Sequence, residues 1–485
     1  MDWSRWRTKV QELFKGSHQR KQADSGLSAG PAWRPSRNYD LWHECQFAGL
    51  TDHARQRELV IGLDFGTSFT KVVVGEARTH RAVPFYRGDR GAAYLLPTAI
   101  AVEREGEQEV VKFPAPESGE GGLIDRLKIR LLDGEKSEEV LAHNAAYLAL
   151  VLRHVRGWLM ERHVATYGDE RLDWLVNVGL PTDTFFDSEI GNVYCGLVRA
   201  AWSLSVQEGA ITLAKAFASV SMIEGGKDQH DASVVEGSQL HADKIAPFPE
   251  LVAEVTGYLR SPMRQDDLHV LVDVGAGTLD VAVFNVHQTR DEEDILPIFE
   301  KSVTGQGTAY LMEWRRTEIA DLRLYRWRYQ EAVPSAEELA RETRTSQAYV
   351  DEVDQRFGAT VKKSILTPVQ ATRMSRHPRS PCWTEGVPLI ACGGGVACEP
   401  YASVIHDLLN IGKPFPFYRL VYPVPRDLEA KSAAPDVINR LNVAYGLSFS
   451  PLDLAHVRGP REIEDQKREV PVSRGDGKFV DKDMV

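Results

Sequence analysis

Two short stretches of the chain combine an aspartate, glycines and hydroxyl side chains: Asp64-Phe-Gly-Thr-Ser68 and Asp273-Val-Gly-Ala-Gly-Thr-Leu-Asp280. Each follows one apolar run and precedes another, which places it in the turn of a β-hairpin. Glycine lets backbone approach a ligand closely, and successive N–H groups form a concave anion site. Thr67, Ser68 and Thr278 add hydroxyl donors. One such turn fits a plain hairpin equally well; the second copy changes the balance. Two acid-bearing turns that face each other can clamp a phosphate chain, with Gly66, Gly275, Ala276 and Gly277 lining it. Asp64 and Asp273 then suit a hydrated magnesium ion, because Mg2+ keeps waters and takes one or two carboxylates plus substrate phosphates. A third stretch, Leu389-Ile-Ala-Cys-Gly-Gly-Gly-Val396, runs from a strand through Gly393, Gly394 and Gly395 into a helical pattern. Bare backbone there admits a flat ring or sugar, and a helix N-terminus favours negative charge.

The elements that must position these turns alternate along the chain. Strand patterns occur at 59–65, 70–76, 98–103, 173–179, 269–273, 279–286 and 388–392. Helical patterns occur at 137–164, 188–203, 247–259, 307–330, 335–357 and 400–410. This mixture predicts an α/β architecture. The turns at 62–67 and 273–278 are an internal echo, each between two apolar strands.

The chain has 485 residues, a prior of roughly three compact units. Its hydrophobic and charged fractions, 43% and 26%, are those of a globular protein. A net charge of −11 argues against bulk binding to nucleic acid or anionic membrane. No apolar run approaches a membrane span, and the first residues lack the apolar core of a secretory signal. Cys45, Cys195, Cys382, Cys392 and Cys398 form no CxxC pair, so reduced thiols in a cytoplasmic protein are expected. No Walker-A sequence is present, which argues against a P-loop ATPase.

With these residues in order, the chain resembles the actin-like ATPase superfamily of actin, sugar kinases and seventy-kilodalton heat-shock chaperones. Its likeness is greatest to the nucleotide-binding domain of DnaK-type chaperones. IGLDFGTSFTKVVV resembles the first phosphate motif, VLVDVGAGTLDVAVF the second and LIACGGG the adenosine motif. VNVGLPTDTFFDSE (176–189), PFPELVAEVTGYL (247–259) and RLNVAYGLS (440–448) resemble the segments that connect them. The resemblance implies a bilobal fold, two duplicated ribonuclease-H-like subdomains around a nucleotide cleft, with ATP and Mg2+ as ligands. Thr67 and Ser68 would bind phosphate; Gly275, Gly277 and Thr278 would cradle the β- and γ-phosphates, supported by Asp280. Asp64 and Asp273 would position hydrated magnesium. Glu250 would orient the attacking water, Lys128 would touch phosphate, and Gly393 to Gly395 would back the adenosine. Gly305, in Thr304-Gly-Gln-Gly-Thr308, would touch phosphate or ribose.

The sequence departs from that family in two respects: its glycine-rich turn after the second motif is reduced to Thr304-Gly-Gln-Gly-Thr308, and its base-binding arginine is missing. Val396-Ala397-Cys398 stands where the chaperones carry a base-stacking arginine, and Arg341 and Arg344 are the candidates to replace it. EWRRTEIADLRLYRWRYQ (313–330) interleaves arginines with aromatics; nucleic-acid binding is one reading, a helix with internally paired arginines the favoured one. The expected division is a Trp-rich extension and linker over 1–58, a nucleotide-binding unit over 59–458, and a charged tail over 459–485. Its lobes would be about 59–248 plus 435–458, and about 249–434. Residues 224–243 look like an insertion. The chain after Gly395 is too short for a chaperone's peptide-binding domain and lid. The leading expectation is therefore a chaperone-like ATP-binding switch with slow hydrolysis, read by a protein partner that docks on 1–58 or 224–243. An actin-like filament or non-catalytic scaffold is the alternative, and a small-molecule kinase the third.

Overall fold

The computed structural model describes residues 56–463 apart from 87–90, 115–122, 169, 186–187, 225–239, 289–293, 322, 325–326, 413 and 432. The expectations for 1–55, most of 224–243 and the charged tail beyond 463 lie outside the described residues.

The first half opens with β1 (Gln56–Phe65), β2 (Phe69–Glu76) and β3 (Thr79–Ala82), an antiparallel meander. Then come α1 (Leu127–Leu132), α2 (Glu138–Tyr167), β4 (Arg171–Leu180), α3 (Ser188–Val206) and β5 (Ile245–Pro249). Residues 59–65 of β1 are all buried, as expected of a strand covered on both faces. Strands β4 and β5 add in parallel on the far side of β1, giving the order β3-β2-β1-β4-β5. β5 ends the sheet, and an edge is where its Pro247 and Pro249 are tolerated.

The second half begins with α4 (Glu250–Leu259) and repeats the plan. β6 (Asp267–Val274), β7 (Leu279–Gln288) and β8 (Asp294–Thr304) form the antiparallel meander. α5 (Thr308–Ile319), α6 (Ala336–Thr343) and α7 (Gln347–Ala371) follow, then β9 (Val387–Cys392), α8 (Glu399–Asn410) and β10 (Phe417–Leu420). The order β8-β7-β6-β9-β10 has the same parallel and antiparallel pairings as the first sheet. The echo in the sequence is thus a duplicated α/β unit, the two-lobed plan that the resemblance to actin-like ATPases implies.

The chain then returns to the first sheet. β11 (Leu428–Glu429) pairs with β3, followed by α9 (Pro435–Arg440) and α10 (Asn442–Leu447). β12 (His456–Arg458) crosses back to pair with β8. The return therefore precedes the expected boundary near 434, and residues 456–458 belong to the second sheet.

The two halves meet where α4 and α10 cross. A Cβ on Gly446 would collide with the Ala253 carbonyl, and one on Gly62 with that of Ala444. Only glycine allows α10 to lie against both α4 and β1.

Other local expectations are refined. Residues 247–249 are strand, and α4 starts at Glu250 with Pro249 as its cap. The pattern at 307–330 yields a helix only to Ile319, where Ala320 turns left-handed at φ 55°. The pattern at 335–357 splits: Ser335 and Glu338 form a capping box on α6, and Ser346 caps α7. Three of the arginines of 313–330 pair with acidic residues of the same lobe. Arg315 makes a buried bidentate pair with Asp354 (2.8 and 2.6 Å), Arg316 pairs with Glu313 (2.9 Å) and Arg323 with Asp321 (2.6 Å). Among the described residues no helix is long and apolar enough to cross a membrane.

Candidate functional site

Both acid-bearing turns sit at corresponding ends of the two sheets and touch. A Cβ on Gly277 would lie 3.1 Å from Thr67 Oγ1. The second turn is braced by Gly275 N–H donating to the Thr278 carbonyl (2.9 Å) and by Thr278 Oγ1 donating to Asp280 Oδ2 (2.9 Å). The Gly275 and Ala276 carbonyls accept from Thr308 and Ala309, which locks the start of α5 onto the turn. Gly305 packs against the Tyr310 ring. Gly393 comes from the third stretch with φ +85°, and a Cβ there would strike the Asp273 carboxylate. Gly395 lies against Thr308 and Val274. All three glycine stretches therefore meet, the first touching the second at Gly277 and the third touching it at Asp273.

Lys128, on α1, is almost fully buried and donates to Glu250 Oε1 at 2.8 Å. Burial opposes its charge, but Glu250, Tyr194 and Asp64 outweigh that and hold its pKa above the ordinary lysine value. Glu250 begins α4, where a carboxylate is favoured by the helix dipole. Two residues this far apart in sequence thus form one ion pair beside the turns.

The structure adds residues that the motifs did not. Lys71 Nζ lies 2.6 Å from Asp64 Oδ2. The signal was available, since Lys71 is the direct antiparallel partner of Asp64. Glu254, one helical turn after Glu250, is 5% exposed; Asn442 donates to it at 3.4 Å, and the Cys392 thiol also hydrogen-bonds it. Thr182, Glu250, Glu254, Asp273, Asp280 and Lys301 line a cavity behind the turns. Lys301 donates to the Thr182 carbonyl at 3.1 Å and so joins the two lobes.

Five carboxylates crowd this region, and burial raises the pKa of three of them. Burial, then Glu250, pushes Asp273 up to about 7. Burial, then Asp273, pushes Glu254 up to about 8. Asp280 is raised well above its ordinary value by burial and Asp273. Ser68 Oγ, Asp273 Oδ1 and Asp280 Oδ1 are buried without a hydrogen-bond partner. Orphaned acceptors of this kind suit a hydrated cation, so the residues fit magnesium held through water. Among the described residues no three His, Cys, Asp or Glu converge as direct ligands.

This electrostatic arrangement predicts how stability varies with pH. A carboxyl harder to ionise in the folded chain keeps its proton while the unfolded chain loses it. Its effect on stability therefore becomes more unfavourable as pH rises from its unfolded pKa to its folded one. For Glu254 that window runs from 4.5 to about 8. Burial drives His80, His154 and His269 the other way, to about 4, so below pH 6.5 they add stability as pH rises. Without nucleotide or magnesium, denaturant midpoints are expected to fall between pH 6.5 and 8. Glu254→Gln should flatten that fall; an unchanged slope would place its origin elsewhere.

The adenosine side departs from expectation. Arg341 is exposed and pairs with Glu337 at 2.7 Å, and Arg344 is an exposed helix cap. The arginine that lies against the glycine turn is Arg440, from α9. Its sequence neighbours gave no sign of this, because only the chain's return to the first lobe brings it there.

No protein-family model matches the chain, and no curated protein does. Solved structures with a similar fold include a ParM filament from Clostridium botulinum (11% identity, 81% of this chain and 100% of that one, TM-score 0.44). An archaeal actin homolog (15%, 80% and 98%, 0.41) and MreB 5 of Spiroplasma citri bound to AMPPNP (12%, 81% and 94%, 0.41) are others. Likeness at this level bears on the course of the chain and not on its activity. The site's meaning therefore rests on its own residues, three glycine turns of a duplicated α/β unit that meet at Gly277 and Asp273.

Proposed function

We propose that the protein binds Mg-ATP between its two lobes and hydrolyses it slowly to ADP and phosphate. The observation that carries this is the cluster of orphaned buried polar atoms, Ser68 Oγ, Asp273 Oδ1 and Asp280 Oδ1, at two facing glycine turns. Backbone N–H groups of both turns and the hydroxyls of Thr67, Ser68 and Thr278 hold the phosphate chain. Lys71 and Lys128 offset its charge. Magnesium, held through water by Asp64 and Asp273, would neutralise charge developing on the phosphates. Glu250 orients the attacking water and accepts its proton, while Lys128 fixes the Glu250 carboxylate. The protein contributes positioning and electrostatics, which is what phosphoryl transfer asks of it. Gly393 to Gly395 back the adenosine, and Gly305 closes the phosphate side.

Two outputs fit such a cleft. Lobe movement read by a protein partner is the chaperone-like one, supported by the likeness of 176–189, 247–259 and 440–448 to chaperone segments. Assembly of copies of the chain is the other; the filament named above is a statement about that protein. Sedimentation of the full chain with Mg-ATP, with released phosphate measured in the same sample, separates them. A switch stays in the supernatant while phosphate accumulates. An assembling protein pellets with ATP and disperses as ATP is consumed. If phosphate release does not exceed the rate without protein, the hydrolysis part of the reading is wrong.

A further inference from the structure

Arg440 ends α9 and is only partly exposed. Its guanidinium Cζ lies 5.0 Å from the centroid of the Phe69 ring, the residue that follows the first phosphate turn. Its Nε and Nη2 lie 3.5 Å from the place a Cβ on Gly394 would take. The guanidinium is thus wedged between a turn of the first lobe and the glycine stretch of the second. A Cβ at Gly394 would stand at ordinary contact distance from the guanidinium, so the glycine stretch and Arg440 are direct neighbours.

The Phe69 face offers the guanidinium a cation–π contact but no hydrogen-bond acceptor. An arginine carries five N–H donors in a planar fork and keeps its charge even when buried. A glycine backbone and an aromatic face supply no anion. Among the described residues no hydrogen bond or ion pair reaches the Arg440 guanidinium. Asp64 and Asp436 act on it only at longer range, and burial lowers its pKa from the usual arginine value. A partly buried cation whose N–H donors have no protein acceptor leaves them open to a ligand, and a bidentate oxyanion is the one whose geometry matches the fork. Its place, between the residue after Ser68 and the residue after Gly393, lies along the path from phosphate turn to adenosine turn.

We propose that Arg440 binds the phosphate chain of the nucleotide and sets the preference for nucleoside polyphosphates over nucleosides. This rests on the nucleotide-cleft reading and deepens it. Its contact is to phosphate and not to the base. It also couples the lobes, since the guanidinium touches both and its ligand lies between them.

The test is equilibrium binding of ADP, and of adenosine by competition, to the full chain and to Arg440→Ala and Arg440→Lys. For Arg440→Ala, ADP affinity is expected to fall about 10- to 100-fold, the effect of losing charge-assisted hydrogen bonds. Adenosine affinity should stay within about twofold. Lysine keeps the charge but not the fork, so Arg440→Lys should recover only part of the loss. It also keeps the site measurable if the alanine variant does not fold. Unchanged ADP affinity in both variants would overturn the assignment while leaving the cleft reading standing. Equal losses for ADP and adenosine would also overturn it, pointing to base contact or to packing. If the unaltered chain binds neither ligand, the cleft reading fails and the role of Arg440 with it.

Discussion

Replacing Asp273 with asparagine is expected to lower ATP turnover by at least about a hundredfold while stabilising the ligand-free protein at pH 8. Both effects follow from the same placement. Asp273 stands where the third glycine stretch touches the second, with Gly393 against its carboxylate and Oδ1 unpartnered. Removing its charge removes the anchor for a hydrated cation at the phosphates, and a preorganised electrostatic contact of that kind is worth about 10²–10³ in rate. Asparagine has nearly the same shape, so packing against Gly393 survives. Burial and neighbouring carboxylates push Asp273 up to about 7, so above that pH the folded protein holds a charge that its surroundings oppose. The amide relieves this. Turnover measured beside denaturant midpoints at pH 8 should show one value falling and the other rising. A variant with normal turnover would remove Asp273 from the site, and a loss of both would mean only that folding was damaged.

The second large effect belongs to Glu250. Glu250→Gln should lower kcat by roughly 10²–10³, within the range general-base contributions span, with ADP affinity changed less than about twofold. The amide oxygen can still accept from Lys128, whose ammonium is buried and otherwise costly to strand. Lys128→Ala is a poorer probe, because leaving Glu250 without its partner costs stability as well as activity. If single-turnover rates of Glu250→Gln equal those of the unaltered chain, Glu250 is only the first residue of α4. If ADP affinity falls in step with kcat, its role is to bind rather than to activate water.

Much of the site was legible in the sequence, because its chemistry is carried by turns. A turn residue is constrained locally: Gly66, Gly275 and Gly277 announce the hairpins, and Gly393 needs the left-handed conformation its type permits. The repeated motif marked an internal echo between pairs of strands; the repeated strand order is what the structure adds. Residues whose role depends on long-range packing were not legible. Lys71 is placed by β-register and was recoverable from the hairpin alone. Glu254 sits one helical turn beyond Glu250 and looked like part of an ordinary amphipathic helix; burial beneath Asp273 makes it unusual. Arg440 is positioned by a chain reversal after β11, for which the sequence carries no local mark. The helix end at Ala320 was missed for the opposite reason, since a left-handed alanine gives none of the glycine or proline signals that mark most helix ends.

The central claim is that the two lobes close on one magnesium–nucleotide complex. Titration of the full-length chain with ADP, with magnesium and then with excess chelator, tests this most directly. One saturable site per chain is expected, weakened at least about tenfold by chelation and by Asp273→Asn, and unaffected by Arg341→Ala. Binding absent under all conditions, or unaltered by both chelator and Asp273→Asn, would contradict it.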